Sequence, residues 1–408
     1  MIPLELSEIE RLCPGRLEAV PWATEVTGVQ IDSRRIEEGD LFVAVGSGDA
    51  FCKHAFARGA AATLVREDAF AALGAIGAVV RCRSSARVVG ITGSTGKTST
   101  KDILAAICAP RVRTVAAEAS YNNELGVPLT LCRLEPDTEI CIVELAMRGL
   151  GQIAELCAVA RPDLGIVTNI GPAHLELVGT LDHVVEAKSE LIAALPAGGT
   201  AVVPEDFPVA RTDLEIVRFG EPEARIEDGR TLIAFQGAEI EFDFSARHQA
   251  RNALAALCAA RALGLTVEGP VEVAFARWRG EEVELPGGGL LINDSYNANP
   301  LSMRAALEHL IARAAGRRTV AVLGDMAELG SEGPRFHKEI GRAAAGLDLV
   351  IGIGELARSY GAAMWAPTAE EAVPLVRAAL EPGDCVLVKG SRAVGLEAVA
   401  EALAASRV

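Results

Sequence analysis

The segment of the sequence most suited to chemistry is the glycine-rich stretch Gly90–Thr100, which reads GITGSTGKTST. It follows an apolar run and leads into a stretch with helical periodicity, the context in which a loop between a strand and a helix binds phosphate. Gly93 and Gly96 allow a tight turn that presents backbone N–H groups to phosphate oxygens. Lys97 supplies a mobile positive charge, and the hydroxyl of Thr98 is placed to bind Mg²⁺.

This loop predicts a nucleotide site but does not say which reaction takes place there. Its spacing departs from the usual GxxxxGK[ST] pattern, because Ile91 stands where the first glycine is expected. The flanking strand and helix, together with the glycines, make the signal strong. The residues expected around the nucleotide phosphates are Gly93, Ser94, Thr95, Gly96, Lys97 and Thr98.

Three other residues, Glu144, His174 and Lys188, carry side chains that could complete a metal site beside this loop. A carboxylate oxygen suits Mg²⁺, and a neutral imidazole is tolerable as one member of a mixed ligand set. An ammonium group repels a cation, so Lys188 makes chemical sense as a ligand only if its amine has taken up CO₂ as a carbamate. Taken one at a time, a helix-capping glutamate, a core histidine and a surface lysine are the simpler interpretations.

Lysine is rare in this chain, which makes each lysine informative. Only six of the 39 basic residues are lysines, and arginine does not replace lysine where a compact ammonium or a deprotonatable amine is needed. For Lys53, Lys101 and Lys338 we expect solvated positions without a chemical role.

Charge, cysteine content and hydropathy argue against several classes of protein. The formal net charge of −16 disfavours general nucleic-acid binding, which needs a basic face, although cations inside one cleft still permit an anionic substrate. The nine cysteines form no CxxC pair, which fits a reducing cytoplasm better than a disulfide scaffold or a zinc site. The sequence shows neither a bilayer-spanning apolar stretch nor a secretory signal. We therefore expect a cytoplasmic protein without a membrane span.

A chain of 408 residues suits two or three domains. We place them at residues 1–83, 84–272 and 273–408, and we expect an α/β fold throughout. The first region is a small mixed α/β unit. The second alternates short apolar strands with helices, as in a P-loop-type ATPase domain built on a parallel sheet. In the third the alternation restarts, which predicts a Rossmann-like doubly wound domain with ligand groups at the carboxyl ends of its strands.

The expected strands and helices are recognisable from their apolar patterns. The predicted strands are GVQID, DLFVAV, RVVGIT, EICIVEL, LGIVTNI, LLIND, TVAVLG, LDLVIGI and CVLVK. The main predicted helices are KTSTKDILAAICA, DHVVEAKSELIAAL, HQARNALAALCAARALG, PLSMRAALEHLIARAA, RFHKEIGRAAA, AEEAVPLVRAAL and LEAVAEALAA. The third of these is expected to end at Gly264 as a C-terminal cap.

Several segments together resemble the Mur ligases of peptidoglycan synthesis, over essentially the whole chain. TGSTGKTS resembles the ATP loop of that family, and YNNELGVPLT at Tyr121–Thr130 resembles its NNxxGVPLT segment. RHQARNALAA is similar to a motif written HNxxNALAA, with Gln249 in place of the first asparagine. The C-terminal segments NDSYNANPLSMRAAL, VLGDMAELG and VKGSRAVGLE are the most specific.

The resemblance implies a role for individual residues. Glu144, His174 and Lys188 fall where the family places the ligands of two Mg²⁺ ions, with the lysine carbamylated. Residues implied near the nucleotide are His248, Asn252, Arg279 and Asp294, the last of these on the ribose. Residues implied to line the nucleotide or the substrates are Asn122, Asn123, Tyr296, Asn297 and Asn299. Residues implied to close over the substrates are Lys389, Ser391 and Arg392.

The N-terminal segment IDSRRIEEGDLFVAV resembles the region that anchors UDP in this family. Ser33 and Arg34 are then expected to meet the uridine or its phosphates. Phe51 in SGDAF takes the place of the phenylalanine in the family's DGHxF element, whereas Asp49 stands at the histidine position.

The reaction implied by the resemblance joins D-alanyl-D-alanine to UDP-N-acetylmuramoyl-tripeptide through an acyl phosphate, at the expense of ATP. Two anions must come together in the cleft, so two Mg²⁺ ions and Lys97 matter more than an acid–base residue. The third residue of the peptide, meso-diaminopimelate or lysine, stays open. We expect a monomer that serves cell-wall biogenesis, and with it cell shape and division.

Three other functions remain open at this point. Another ligase of the same architecture, such as a folylpolyglutamate synthase, would use the same ATP loop on a different substrate. A nucleotide-switched binding protein would hydrolyse ATP without forming an amide. A small-molecule kinase would release a stable phosphorylated product, but it would not need a second complete α/β domain.

Overall fold

Five β-sheets organise the described part of the chain, residues 1–173 and 175–405, in a computed structural model. The predicted metal ligand His174 lies outside the described residues. No helix in the described ranges is long and apolar enough to cross a membrane.

The N-terminal region contains a four-stranded sheet and a two-stranded sheet. Its elements are β1 (Leu4–Glu5), α1 (Leu6–Leu12), β2 (Arg16–Ala19), β3 (Glu25–Val26), β4 (Gly28–Gln30), β5 (Asp40–Ala44), α2 (Cys52–Ala57), β6 (Ala62–Val65) and α3 (Ala69–Arg83). The larger sheet has the order β2-β6-β5-β4, in which only β2 is antiparallel to its neighbour. The side chain of Asp68 accepts from the backbone N–H of Ala71 and caps α3 at its N-terminus.

The central region is built on a six-stranded parallel sheet. Its elements are β7 (Arg87–Thr92), α4 (Lys97–Cys108), β8 (Thr114–Ala116), α5 (Gly126–Leu131), β9 (Ile140–Glu144), α6 (Gln152–Ala160), β10 (Leu164–Val167), α7 (Leu175–Val178), α8 (Leu181–Ala193), β11 (Thr200–Pro204), β12 (Glu215–Phe219) and α9 (Arg247–Ala262). The order is β12-β11-β10-β7-β9-β8, so β7 lies between β10 and β9. Because the strands are parallel, the ends of β7, β9 and β10 meet at one edge of the sheet.

Between β12 and α9 the chain forms a three-stranded antiparallel sheet that the sequence patterns did not predict. Its strands are β13 (Ala224–Glu227), β14 (Arg230–Phe235) and β15 (Ala238–Phe242). They are joined by the two-residue turns Asp228–Gly229 and Gln236–Gly237, in which all four residues have positive φ. This is the geometry of type I′ turns, which suits the twist of a β-hairpin.

The C-terminal region is a second α/β unit with helices on both faces of a six-stranded sheet. Its elements are β16 (Glu281–Leu285), β17 (Gly289–Asn293), α10 (Pro300–Ala314), β18 (Thr319–Gly324), α11 (Gly333–Ala344), β19 (Leu349–Ile353), β20 (Met364–Ala366), α12 (Ala369–Ala379), β21 (Cys385–Lys389) and α13 (Glu397–Ala404). The order is β16-β17-β21-β18-β19-β20, and only β16 is antiparallel. The prediction of an α/β fold with a doubly wound C-terminal sheet is confirmed.

Contacts across the regions bring the two larger sheets together. Leu301, on α10, packs closely against Gly171. A Cβ atom added at position 171 would lie 2.1 Å from Leu301 Cδ1. The Asn299 side chain donates to the backbone carbonyl of Ser94 at 3.4 Å. The amino end of α10 therefore lies against the loop that follows β7.

Candidate active site

A cleft of about 1940 Å³ separates the carboxyl edge of the central sheet from the C-terminal region. The sequence-predicted residues that line it are Ser94, Thr95, Gly96, Lys97, Thr98, Asn122, Asn123, Glu144, His248, Asn252, Arg279, Asp294, Tyr296, Asn297, Asn299, Lys389, Ser391 and Arg392. Residues as far apart in the sequence as Ser94 and Arg392 thus share one cavity.

The loop between β7 and α4 is shaped by two glycines that no other residue replaces easily. Gly93 has φ +145°, and a Cβ atom there would lie 1.9 Å from Thr168 Oγ1. Gly96 has φ +77°, and its Cβ would lie 2.3 Å from Asn252 Oδ1. Both positions combine a left-handed or unusual backbone with a close neighbour, so the turn requires glycine.

Asn169, just after β10, holds this loop and was missed by the sequence reasoning. Its Oδ1 accepts from the backbone N–H of Thr95 at 2.9 Å, and its Nδ2 donates to the Thr95 hydroxyl at 2.6 Å. The Ser94 hydroxyl donates to the carbonyl of Gly171 at 2.9 Å. The signal that could have identified Asn169 is its place at the end of a buried parallel strand, next to β7.

Thr98 and Glu144 form the polar centre at the opening of α4. The Thr98 hydroxyl donates to Glu144 Oε2 at 2.7 Å, and Asn122 Nδ2 donates to Glu144 Oε1 at 2.9 Å. Glu144 is almost fully buried as the last residue of β9. Its carboxylate is therefore fixed at the edge of the sheet, beside the loop.

Lys97 provides a positive charge directly at this centre. Its Nζ donates to the carbonyl of Gly93 at 2.7 Å, so the side chain folds back over the loop. Burial lowers the pKa of Lys97, Glu144 opposes that effect, and the nearby guanidinium of Arg279 adds to it. A polyanion entering the cleft would favour the charged form of this amine.

Lys188 lies on α8 with only 1% of its surface exposed. Burial and the neighbouring charge of Lys97 hold the pKa of Lys188 well below its ordinary value, against the weaker opposing effects of Glu190 and Glu144. Within the described ranges Lys188 has no hydrogen-bond or ion-pair partner. Burial therefore favours the neutral form of this amine, which is the form that adds CO₂.

Arg279 reaches the cleft from the segment that precedes β16. Its guanidinium carbon lies 4.1 Å from the centre of the Tyr296 ring, and Nη2 donates to the hydroxyl of Ser120 at 2.7 Å. Ser120 Oγ lies in turn 3.4 Å from Thr98 Oγ1. The sequence reasoning named Arg279 and Tyr296 but missed Ser120, which precedes the recognised YNNELG segment.

On the C-terminal side, the buried Lys389 and the partly buried Asp294 form an ion pair at 2.6 Å. Lys389 Nζ also donates to the carbonyl of Asn297 at 2.9 Å. The Ser391 hydroxyl accepts from the backbone N–H of Ala327 at 2.8 Å. The carboxyl ends of β17 and β21, with the loop after β18, are thereby tied into one wall of the cleft.

His248 and Asn252 lie on α9, close to the loop. Asn252 Nδ2 donates to Gln249 Oε1 at 2.7 Å, and Gln249 Nε2 donates to Ser99 Oγ at 3.2 Å. Gln249, which replaces an asparagine of the motif, is therefore a structural link from α9 to α4. Burial lowers the pKa of His248 to about 4.

The N-terminal candidates Ser33, Arg34 and Phe51 do not line this cleft. Ser33 is buried and its Oγ lies 2.9 Å from His54 Nδ1, whereas Arg34 is exposed and pairs with Asp32. The ring of Phe51 is 54% exposed. If these residues bind a ligand, they hold a part of it that lies away from the loop after β7.

Comparison with known proteins places this site in a family. The family model described as "Mur ligase middle domain" matches residues 91–260, and the one described as "Mur ligase, glutamate ligase domain" matches residues 278–392. A UDP-N-acetylmuramoyl-tripeptide–D-alanyl-D-alanine ligase of Synechocystis is 34% identical, over 93% of this chain and 92% of the relative. The chain belongs to the Mur ligase family.

Solved structures agree with this assignment to the Mur ligases. MurF from Acinetobacter baumannii has a TM-score of 0.84 at 29% identity, covering 98% of this chain and 99% of the other. MurF from Thermotoga maritima, solved in complex with ADP, has a TM-score of 0.78 at 28% identity, covering 92% and 97%. The family membership and the ligase class predicted from the motifs are confirmed.

The oxygen donors of this Mur ligase fit a magnesium ion. Mg²⁺ is held in proteins by one or two oxygen ligands, with phosphate oxygens and water completing its octahedron. The Thr98 hydroxyl and the Glu144 carboxylate supply such a pair, 2.7 Å apart beside Lys97. Within the described ranges no three His, Cys, Asp or Glu side chains form a group that could hold a metal ion.

Proposed function

We propose that this chain joins D-alanyl-D-alanine to UDP-N-acetylmuramoyl-tripeptide, with ATP converted to ADP and phosphate. The observation that carries the proposal is the meeting of Lys97, Thr98, Glu144 and Arg279 on one side of a single cleft with Asp294 and Lys389 on the other. The name of the Synechocystis relative supplies the substrates.

The first chemical step is phosphoryl transfer to the terminal carboxylate of the tripeptide. A carboxylate oxygen bonds to the γ-phosphorus, the bond from that phosphorus to the bridging oxygen breaks, and ADP leaves. Lys97 and Arg279 reduce the repulsion between the two anions, which in a partly desolvated cleft amounts to several kcal/mol.

Magnesium would be held by Thr98 and Glu144, with further ligands from the nucleotide. When bound, it supplies positive charge between phosphate oxygens. Asn122 keeps the Glu144 carboxylate in place through its 2.9 Å hydrogen bond. We further propose that His174 and a carbamate on Lys188 hold a second magnesium ion. The burial of Lys188 and its lowered pKa support this proposal, because an unprotonated amine is needed to add CO₂.

The second step forms the amide. The amine of the dipeptide attacks the carbonyl carbon of the acyl phosphate, the bond from that carbon to the phosphate oxygen breaks, and the departing phosphate takes up the proton that the amine loses. Tyr296, Asn297 and Asn299 line the cleft close to Lys389 and are placed to orient the dipeptide. The acyl phosphate must be protected from water, and the contacts of Leu301 and Asn299 hold α10 close to the loop where it would form.

We propose that each of the three regions of the chain binds a different substrate. Residues 1–83 bind the UDP end of the substrate, with Ser33, Arg34 and Phe51 among the contacts. Residues 84–272 bind ATP, and residues 273–408 bind the dipeptide. The nine free cysteines fit the reducing cytoplasm where such nucleotide-linked precursors occur, and we propose that the chain acts there as a monomer.

The decisive experiment is mass spectrometry of the products formed from ATP, the UDP-linked tripeptide and D-alanyl-D-alanine. We expect the UDP-linked pentapeptide and stoichiometric phosphate, with release of phosphate only when both substrates are present. Fast ATP hydrolysis without either substrate would contradict the proposal and favour a nucleotide-switched protein. Parallel assays with folate and glutamate, and with each peptide substrate alone, separate a folylpolyglutamate synthase and a kinase from the proposed ligase.

A further inference from the structure

A buried ion pair lies one helical turn beyond the nucleotide loop, where the sequence patterns predicted a solvated lysine. Lys101 and Asp102 are neighbours on α4, with 4% and 9% of their side chains exposed, and Lys101 Nζ lies 2.7 Å from Asp102 Oδ1. The expectation of a solvated position for Lys101 is therefore wrong. Burying two charges is costly, so such a pair persists only where further hydrogen bonds complete it.

Lys101 donates its other two N–H groups to one segment of backbone. Its Nζ donates to the carbonyl of Ala117 at 2.8 Å and to that of Ala119 at 3.1 Å. Ala119 has φ +45°, a left-handed conformation that a residue other than glycine adopts only when its surroundings hold it there. Lys101 thus fixes a strained segment, and Ser120 is the next residue.

The second carboxylate oxygen of Asp102 accepts a hydrogen bond from a different segment of backbone. Asp102 Oδ2 accepts from the backbone N–H of Ala276 at 3.0 Å. Two residues later, Trp278 also has a positive φ, of +64°, and Arg279 follows it. The carboxylate therefore anchors the stretch of chain that delivers Arg279 to the cleft.

The two anchored segments meet at one hydrogen bond. Arg279 Nη2 donates to Ser120 Oγ at 2.7 Å, and Ser120 Oγ lies 3.4 Å from Thr98 Oγ1. Within the described ranges the buried Nε of Arg279 has no acceptor, so the guanidinium keeps a donor group free beside the nucleotide loop. A buried donor of this kind is stable only when a ligand or water accepts from it.

We infer that the Lys101–Asp102 pair is a positioning element that holds Ser120 and Arg279 against the nucleotide by anchoring the two segments that carry them. Neither side chain lines the cleft, so the pair acts through Arg279 and not by contact with ATP. This inference rests on the proposed use of ATP but not on the identity of the peptide substrates.

The test is a double-mutant cycle read out by binding of the non-hydrolysable analogue AMP-PNP with Mg²⁺ to the full chain, measured by calorimetry. We expect Asp102→Ala to weaken binding about tenfold, and Arg279→Ala to weaken it by at least as much. The double variant should match Arg279→Ala within about twofold, because Asp102 anchors the segment that carries Arg279 and acts on the nucleotide through that residue.

Two further variants separate positioning from general destabilisation. Asp137→Ala removes an aspartate from an exposed ion pair with Arg113, and it should leave AMP-PNP binding unchanged. Asp102→Asn keeps an acceptor for the backbone N–H of Ala276, and it replaces Asp102→Ala if that variant does not fold. It should weaken AMP-PNP binding less than Asp102→Ala does. In the Arg279→Ala background it should not weaken binding further.

Two results would overturn the inference. In one, the Asp102 variants lower the melting temperature but leave AMP-PNP binding unchanged. In the other, Asp102→Ala weakens AMP-PNP binding by the same factor in the parent chain and in the Arg279→Ala background. A parent chain that binds AMP-PNP but forms no amide would instead overturn the proposed function and leave this inference standing.

Discussion

The hydroxyl of Thr98 donates a 2.7 Å hydrogen bond to Glu144 Oε2, and so joins the first turn of α4 to the end of β9. The second oxygen of the same carboxylate accepts from Asn122. A carboxylate held on both sides is already oriented before a cation arrives, and this preorganisation is what makes electrostatic catalysis effective.

The first prediction concerns this pair. Glu144→Gln keeps the shape but removes the charge, so we expect the rate of amide formation to fall roughly 100-fold or more and the Mg²⁺ concentration for half-maximal activity to rise. Thr98→Ser keeps the hydroxyl and is the matched control, with activity close to that of the parent. An unchanged Mg²⁺ dependence in Glu144→Gln would show that this carboxylate does not hold the metal.

The second prediction concerns Lys188. Lys188→Ala should abolish amide formation and largely spare binding of AMP-PNP, because the phosphate loop and the Thr98–Glu144 pair stay intact. Lys188→Arg should be equally inactive, since a guanidinium does not form a carbamate. With ¹³C-bicarbonate, the parent should show a carbamate carbonyl resonance that both variants lack.

The exposed lysine Lys338 on α11 offers the control for this experiment. Lys338→Ala should retain both the activity and the carbamate resonance. Full activity in either Lys188 variant would rule out the carbamate.

The α/β fold and the phosphate loop were predicted because both follow from local patterns, whereas cleft residues such as Arg279 and Asp294 were expected only from the resemblance to the Mur ligases. Parallel strands such as β7 and β9 are continuous apolar runs, and the loop at Gly93–Thr98 has its own glycine signature. The small sheet β13–β15 was missed because the strands β13 and β15 carry several charged residues, although the Asp228–Gly229 turn is a typical signal of a β-hairpin.

Residues whose role depends on distant contacts were harder to predict. Asn169, Ser120 and Asp102 belong to no motif that was recognised, and each acquires its partner only when the chain has folded. The prediction for Lys101 was wrong for the same reason. Helical periodicity shows which face of α4 is apolar, but it does not show that two backbone carbonyls of a separate loop accept hydrogen bonds from the Lys101 ammonium. Patterns in sequence report local geometry, whereas hydrogen-bond partners are a property of the tertiary fold.

The third prediction compares two glycines that both have positive φ. Gly96→Ala would place a Cβ atom 2.3 Å from Asn252 Oδ1, so we expect it to distort the loop and weaken AMP-PNP binding more than about tenfold. Gly264→Ala has a similar φ of +80° but nothing within 4 Å. It should cost about 1–2 kcal/mol of stability without changing nucleotide binding. Equal effects of the two variants on AMP-PNP affinity would show that backbone strain alone, and not the contact with Asn252, is responsible.

The fourth prediction concerns acid stability and His248. Burial lowers the pKa of His248 to about 4, with Asp294 opposing and His309 and Lys389 adding to the effect. Because the unfolded chain takes up a proton near pH 6.5 and the folded chain does not until about pH 4, the unfolded state binds more protons in this window. Stability should therefore fall as the pH falls from 6.5 towards 4, by on the order of 3 kcal/mol from this group.

The matched variant is His248→Gln, which does not titrate. Its unfolding free energy should depend less steeply on pH than that of the parent between pH 6.5 and 4, with the two curves parallel above pH 7. NMR titration of the imidazole resonances, assigned by the one that His248→Gln loses, measures the pKa directly. A pKa near 6.5 for that resonance would mean that the ring is solvated, and that the wall of the cleft formed by α9 is more open than the burial of His248 implies.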